Sequence, residues 1–124
     1  MTETFLALRT ALLPRDTNAA GTIFGGVILS QIDLAGAAVA RKSHCHRFVT
    51  VAMKEVKFLA PAYVGDLISY YGHVIRTGTT SITIRIRVEA ERFADCATLV
   101  DITTADVTYV AVNEKGRPIP VVSS

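Results

Sequence analysis

A chain of 124 residues has room for one hydrophobic core and no more. Half of its residues are hydrophobic and 19% are charged, which excludes intrinsic disorder and leaves apolar surface for a second subunit. A formal net charge of +2, with Lys and Arg scattered rather than clustered, excludes nucleic acid as a partner bound through phosphate neutralisation.

From the N-terminus, no basic segment precedes an apolar stretch and a small-residue cleavage site, and Cys45 and Cys96 are the only cysteines. The expected location is the cytoplasm, with both thiols reduced. Phe5 to Leu13 is apolar and free of Gly and Pro, which predicts a strand that Pro14 ends. A loop then runs through Arg15, Asp16, Thr17 and Asn18 to the pair Gly25 and Gly26. Val27 to Lys42 has no Pro and one Gly, Gly36, and is predicted to be helical. Its apolar residues, among them Val27, Ile28, Ile32, Leu34, Ala35, Val39 and Ala40, cover nearly the whole circumference, the pattern of a helix enclosed by protein. Ser30, Gln31 and Asp33 interrupt the run, so it is not a membrane span.

Downstream, Phe48 to Leu59, Leu67 to Thr77, Ser81 to Glu91 and Ala97 to Val112 are rich in Val, Ile, Thr and Tyr, which predicts four strands. Between Ser81 and Glu89, Ile82, Ile84, Ile86 and Val88 alternate with Thr83, Arg85, Arg87 and Glu89, so one face meets the core and the other meets water. Val100 and Ile102 share one phase while Val107 and Tyr109 take the other, which predicts a bulge or bend near Thr103 to Ala105. The short connections at Thr77 to Thr80 and Pro61 to Asp66 predict antiparallel neighbours. The result is a single α+β domain over residues 1–124, a curved antiparallel sheet wrapped around one long helix.

Asp33 is the odd residue of that helix, because an ionised buried carboxylate without partners is strongly disfavoured. It reads either as part of a polar seam or subunit contact, or as a general base or nucleophile. Gly25 and Gly26 offer a place where backbone can approach a ligand, and the first amides of a helix can hold an oxyanion or a phosphate. The other use of such a pair is a tight turn needing unusual backbone angles. Gly26 and Asp33 stand seven positions apart, close to two turns, and share a helix face. Asn18 alone reads as a turn former. His44, Cys45 and His46 lack further ligands at metal spacing and close the helix, where His suits the C-terminal dipole, so no metal is expected. His73 stands alone in a strand. Ser30 and Ser81 lack a Gly-x-Ser-x-Gly setting, which leaves a serine-hydrolase triad without support.

The run Asp16-Thr17-Asn18-Ala19-Ala20-Gly21-Thr22-Ile23-Phe24-Gly25-Gly26, followed by Ser30-Gln31-Ile32-Asp33, resembles the hotdog-fold acyl-CoA thioesterases of the bacterial YciA-like and brain-type acyl-CoA hydrolase group. The likeness continues through Val49-Thr50-Val51, Phe58-Leu59-Ala60-Pro61, Val64-Gly65-Asp66, Gly78-Thr79-Thr80-Ser81-Ile82 and Tyr109-Val110-Ala111-Val112. It implies a hotdog fold and hydrolysis of fatty acyl-CoA to free acid and CoA, with CoA as part of the substrate and no separate cofactor. It implies Asp33 as the catalytic carboxylate, Asn18 as its partner and the Gly26 N–H facing the thioester carbonyl. In such a site Asn18 and Asp33 come from different subunits of a homodimer, and dimers assemble further into hexamers. Gly25 and the turn Gly78, Thr79, Thr80 and Ser81, with its free amides, are the expected contacts for the substrate. Arg76, or a lysine near Lys54 and Lys57, is the expected phosphate ligand.

Two other readings use the same fold. One is a non-catalytic acyl-CoA-binding sensor, against which the presence of both Asn18 and Asp33 argues. The other is a hydratase or dehydratase, which asks for a histidine at the active site, whereas His44 and His46 fall at the helix end and His73 in a strand.

Overall fold

A computed structural model describes residues 3–122, so the outermost residues of the domain expected over 1–124 lie outside the described range. The elements follow the predicted order of strand, helix and four strands. β1 (Phe5–Ala11) ends before Pro14, which opens a short 3-10 turn (Pro14–Asp16) inside the predicted loop. α1 spans Gly25–Ser43, and β2 (Arg47–Phe58), β3 (Leu67–Thr77), β4 (Ser81–Glu91) and β5 (Leu99–Val112) complete the fold. β3 and β4 have the bounds that the sequence predicts.

The helix starts two residues before the predicted Val27, so Gly25 and Gly26 form its first turn rather than a turn ahead of it. Neither has a positive φ; among the described glycines that conformation belongs to Gly21, Gly65 and Gly116. The pair is therefore not there for unusual backbone angles.

All strand pairs are antiparallel, in the order β1-β3-β4-β5-β2. This corrects one expectation: β2 and β3 are not neighbours despite their short connection. β2 pairs with β5, from Arg47 opposite Val112 to Phe58 opposite Thr103, while β3 lies between β1 and β4. The connection does not form a hairpin because its own bonds lead elsewhere. Ile23 N–H donates to Ala62 O at 2.9 Å and Leu12 N–H to Asp66 O at 3.2 Å, which carries the chain across the end of the helix. The buried Asp66 carboxylate then accepts from the amides of Tyr63 and Phe93 and from Arg92 at 2.7 Å.

One helix face packs on the sheet. Ile28, Ile32, Ala35, Val39 and Ala40 are buried in one cluster with Tyr70, Ile84, Ile86, Val88, Val107 and Tyr109. Each fully buried Ile or Val contributes about 1.5–3 kcal/mol. The alternation read in β4 holds, since Ile82, Ile84, Ile86 and Val88 are buried and Arg85 and Arg87 are exposed. The phase change in β5 falls at Ile102 and Thr103, both buried, where the register with β4 shifts between Val88 and Glu89. A second shift, between Lys54 and Lys57, bulges β2 around Glu55, whose φ is 55°.

The expectation that protein encloses the helix on all sides needs correction for one chain. Leu34 is 67% exposed, and Ser30 and Ala38 are also open to solvent. The sheet covers one face and leaves an apolar face uncovered. Among the described residues, no helix is long and apolar enough to cross a membrane.

Candidate active site

Asp33 lies in the middle of α1, half-buried, where the helix passes β2 and β5. Its carboxylate has one full donor and a share of a second. Thr50 Oγ1, on β2, donates to Asp33 Oδ1 at 2.7 Å. The Tyr109 hydroxyl, on β5, lies 2.7 Å from the Asp33 backbone carbonyl and 3.2 Å from Oδ1. Tyr109 is fully buried, and burial first, then the nearby Asp33 carboxylate, holds its phenol far above the ordinary value. It stays protonated and serves as a donor. Among the described residues, Oδ2 of Asp33 takes no hydrogen bond. Neither Thr50 nor Tyr109 stands out as a site residue in the sequence; only the order of strands brings them to the helix.

The start of α1 is uncapped. Phe24 occupies the N-cap without a side-chain oxygen to offer, and the first turn carries no acid. Val27 N–H donates to Phe24 O at 3.0 Å, while the amides of Gly25 and Gly26 have no acceptor among the described residues and keep their donor capacity, as an oxyanion site requires. Both glycines admit a ring: a Cβ on Gly25 would sit 3.4 Å from Phe58 Cζ, and one on Gly26 only 2.6 Å from Phe24 Cε2. Beside them opens an apolar cavity of about 190 Å³, lined by Ile23, Gly25, Ile28, Phe58, Ala60, Pro61, Ala62 and Ile102.

Asn18 is exposed and does the local work of a turn former. Its Oδ1 accepts from the amides of Ala20 and Thr22, and its Nδ2 donates to Thr22 Oγ1 at 2.9 Å. These partners lie in its own loop, whereas those of Asp33 lie on β2 and β5. One chain does not join the two side chains by a hydrogen bond.

The turn between β3 and β4 is less open than expected. The Gly78 amide donates to Ser81 O at 2.8 Å, so it is not free. The carbonyls of Thr79 and Thr80 accept from Val121 and Ala111. The amides of Thr79 and Thr80 donate to no backbone acceptor among the described residues, so the turn offers a ligand these two amides and the side chains of Thr79, Thr80 and Ser81. Arg76 is exposed at the end of β3 and forms no salt bridge among the described residues, unlike Arg85, which is held by Asp106 at 2.9 Å. Lys54 and Lys57 are exposed on β2.

The histidines lie elsewhere. His73 lines a cleft on the outer face of the sheet with Tyr71, Arg85 and Arg87. His44 caps the helix end, and His46 Nε2 lies 2.7 Å from Val121 O. Among the described residues no group of three His, Cys, Asp or Glu side chains is placed to hold a metal ion.

Comparison with known proteins gives a consistent result. The family model of the thioesterase superfamily matches residues 20–97. An uncharacterised acyl-CoA thioester hydrolase of Buchnera aphidicola is 45% identical over 115 residues, covering 91% of this chain and 85% of its own. The acyl-CoA thioester hydrolase YciA of Escherichia coli is 41% identical over 115 residues, covering 91% of this chain and 87% of its own. The crystal structure of a hexameric hotdog-fold thioesterase of Campylobacter jejuni matches with a TM-score of 0.89 at 44% identity, over 94% of this chain and 90% of that one.

Proposed function

Because the chain is an acyl-CoA thioesterase of the hotdog-fold, YciA-like bacterial family, we propose that it cleaves fatty acyl-CoA at Asp33, in a site that a second copy of the chain completes. Water adds across the thioester, and the products are the free acid and the CoA thiol. Asp33 either activates that water or attacks the carbonyl carbon to give an anhydride that water then opens.

The observation that carries this reading is a carboxylate with one oxygen fixed and the other free, on the helix that also begins with uncapped amides. Gly26 and Asp33 are seven residues apart, about 10 Å along the axis. One helix therefore does not hold the carbonyl oxygen at Gly26 while its own Asp33 attacks the attached carbon. An antiparallel second helix alongside brings the Gly26 amide and the Asn18 loop of the other subunit to each Asp33.

β2 supports that pairing. It is an edge strand of 12 residues with one side unpaired, and Val49, Val51, Val56 and Phe58 are exposed along it. An edge of this kind asks for cover, and an isologous dimer supplies it by pairing β2 with its copy. By likeness to the hexameric relatives, three such dimers form the working assembly. The acyl chain enters the cavity beside Gly25. Arg76 and the side chains of Thr79, Thr80 and Ser81 meet the CoA moiety, and Lys54 and Lys57 are further candidates for its phosphates. Residues 1–124 form one domain, two copies of which make the catalytic unit, and the exposed, unpaired Cys45 and Cys96 fit the reducing cytoplasm.

The test is the Asp33→Ala variant, assayed by release of the CoA thiol from acyl-CoA. A folded oligomer whose turnover is lower by about three orders of magnitude is expected. Turnover close to that of the unaltered chain would sink the proposal.

A further inference from the structure

A glycine inside a helix is unfavourable by about 1 kcal/mol relative to alanine, so Gly36 calls for a reason. It is buried on the face that meets β5, and a Cβ built on it would lie 2.2 Å from the Tyr109 hydroxyl oxygen. Any side chain there would expel that hydroxyl. What the hydroxyl reaches through the gap is Asp33, its backbone carbonyl at 2.7 Å and its Oδ1 at 3.2 Å.

We infer that Tyr109 is a positioning residue for the thioester chemistry, that Gly36 clears its path, and that together with Thr50 it immobilises Oδ1 of Asp33 so that Oδ2 is the reacting oxygen. This rests on Asp33 being the catalytic carboxylate and adds which of its oxygens reacts and what selects it. The single O–H proton is shared between the two acceptors, the nearer carbonyl holding the height of the helix against β5 and the longer contact to Oδ1 restraining the rotation of the carboxylate. A carboxylate free to turn spends less time aligned with the thioester carbon, which lowers the rate of the chemical step without weakening substrate binding. Burial suits the role, since a fully buried phenol stays neutral and keeps its proton to donate.

The experiment is steady-state hydrolysis of hexanoyl-CoA by Tyr109→Phe, which removes only the hydroxyl, alongside thermal unfolding. The inference predicts kcat lower by about ten-fold with KM changed by less than about two-fold. Gly36→Ala, which keeps the hydroxyl but blocks its path, is predicted to lower kcat to the same extent. The double variant is predicted to lose little more than either single one, because both remove the same bond. A kcat for Tyr109→Phe near that of the unaltered chain, or a loss confined to KM or to thermal stability, overturns the inference. An active Asp33→Ala would instead overturn the site itself, so the two failures are separable.

Discussion

Asp33 has a partner that its own helix does not supply. Thr50 Oγ1 donates to Oδ1 at 2.7 Å from β2, and hydrogen bonds to a charged acceptor contribute about 1.5–3 kcal/mol. Thr50→Ala is therefore predicted to lower kcat by about ten-fold or more, whereas Thr50→Ser, which keeps the hydroxyl, retains most of the rate. Equal rates for the two variants in a thiol-release assay would contradict the role given to the hydroxyl. The sequence marks Asp33 as out of place in an apolar helix, and the family resemblance names it as the catalytic carboxylate. Thr50 carries no such mark, because Thr is an ordinary strand residue and its meeting with Asp33 depends on how β2 is laid beside α1. Gly36 is visible in the sequence as an exception, yet its reason lies 73 positions away, at Tyr109.

Among the elements, β4 and the phase change in β5 are legible because a half-buried strand writes its two faces into alternate residues, and β3, which does not alternate, is legible from its strand-forming residues between turns. The place of β2 is not. A short connection favours a hairpin, but here the bonds of Ala62 to Ile23 and of Asp66 to Leu12, both in the segment between β1 and α1, override that preference. That detour builds the apolar cavity, since Ala60, Pro61 and Ala62 form one wall and Phe58 lies across Gly25 on another. A cavity of 150 Å³ in a protein core takes benzene, so one of about 190 Å³ takes roughly six to eight carbons. Phe58→Ala is predicted to shift the preference toward longer acyl chains, raising the ratio of kcat/KM for dodecanoyl-CoA over hexanoyl-CoA by about ten-fold, as two further buried methylenes would. An unchanged chain-length profile would place the acyl group outside this cavity.

For the whole molecule, the apolar circumference of α1 is the sequence feature with the widest consequence. A single sheet buries one face and leaves Leu34 exposed, next to an edge strand with its own row of exposed apolar side chains. The sequence signals the need for cover but not its source, since intramolecular and intermolecular burial impose the same pattern. We propose that the cover is a second copy, which also brings Asn18 to Asp33. Subunits carrying Asn18→Ala and subunits carrying Asp33→Ala, each inactive alone, test this most directly when they are unfolded, mixed in equal amounts and reassembled. In each mixed dimer one of the two sites pairs an intact Asn18 with an intact Asp33, and half of the dimers are mixed, so activity is predicted to return to about a quarter of that of the unaltered protein. A mixture that assembles but stays inactive would contradict the shared site.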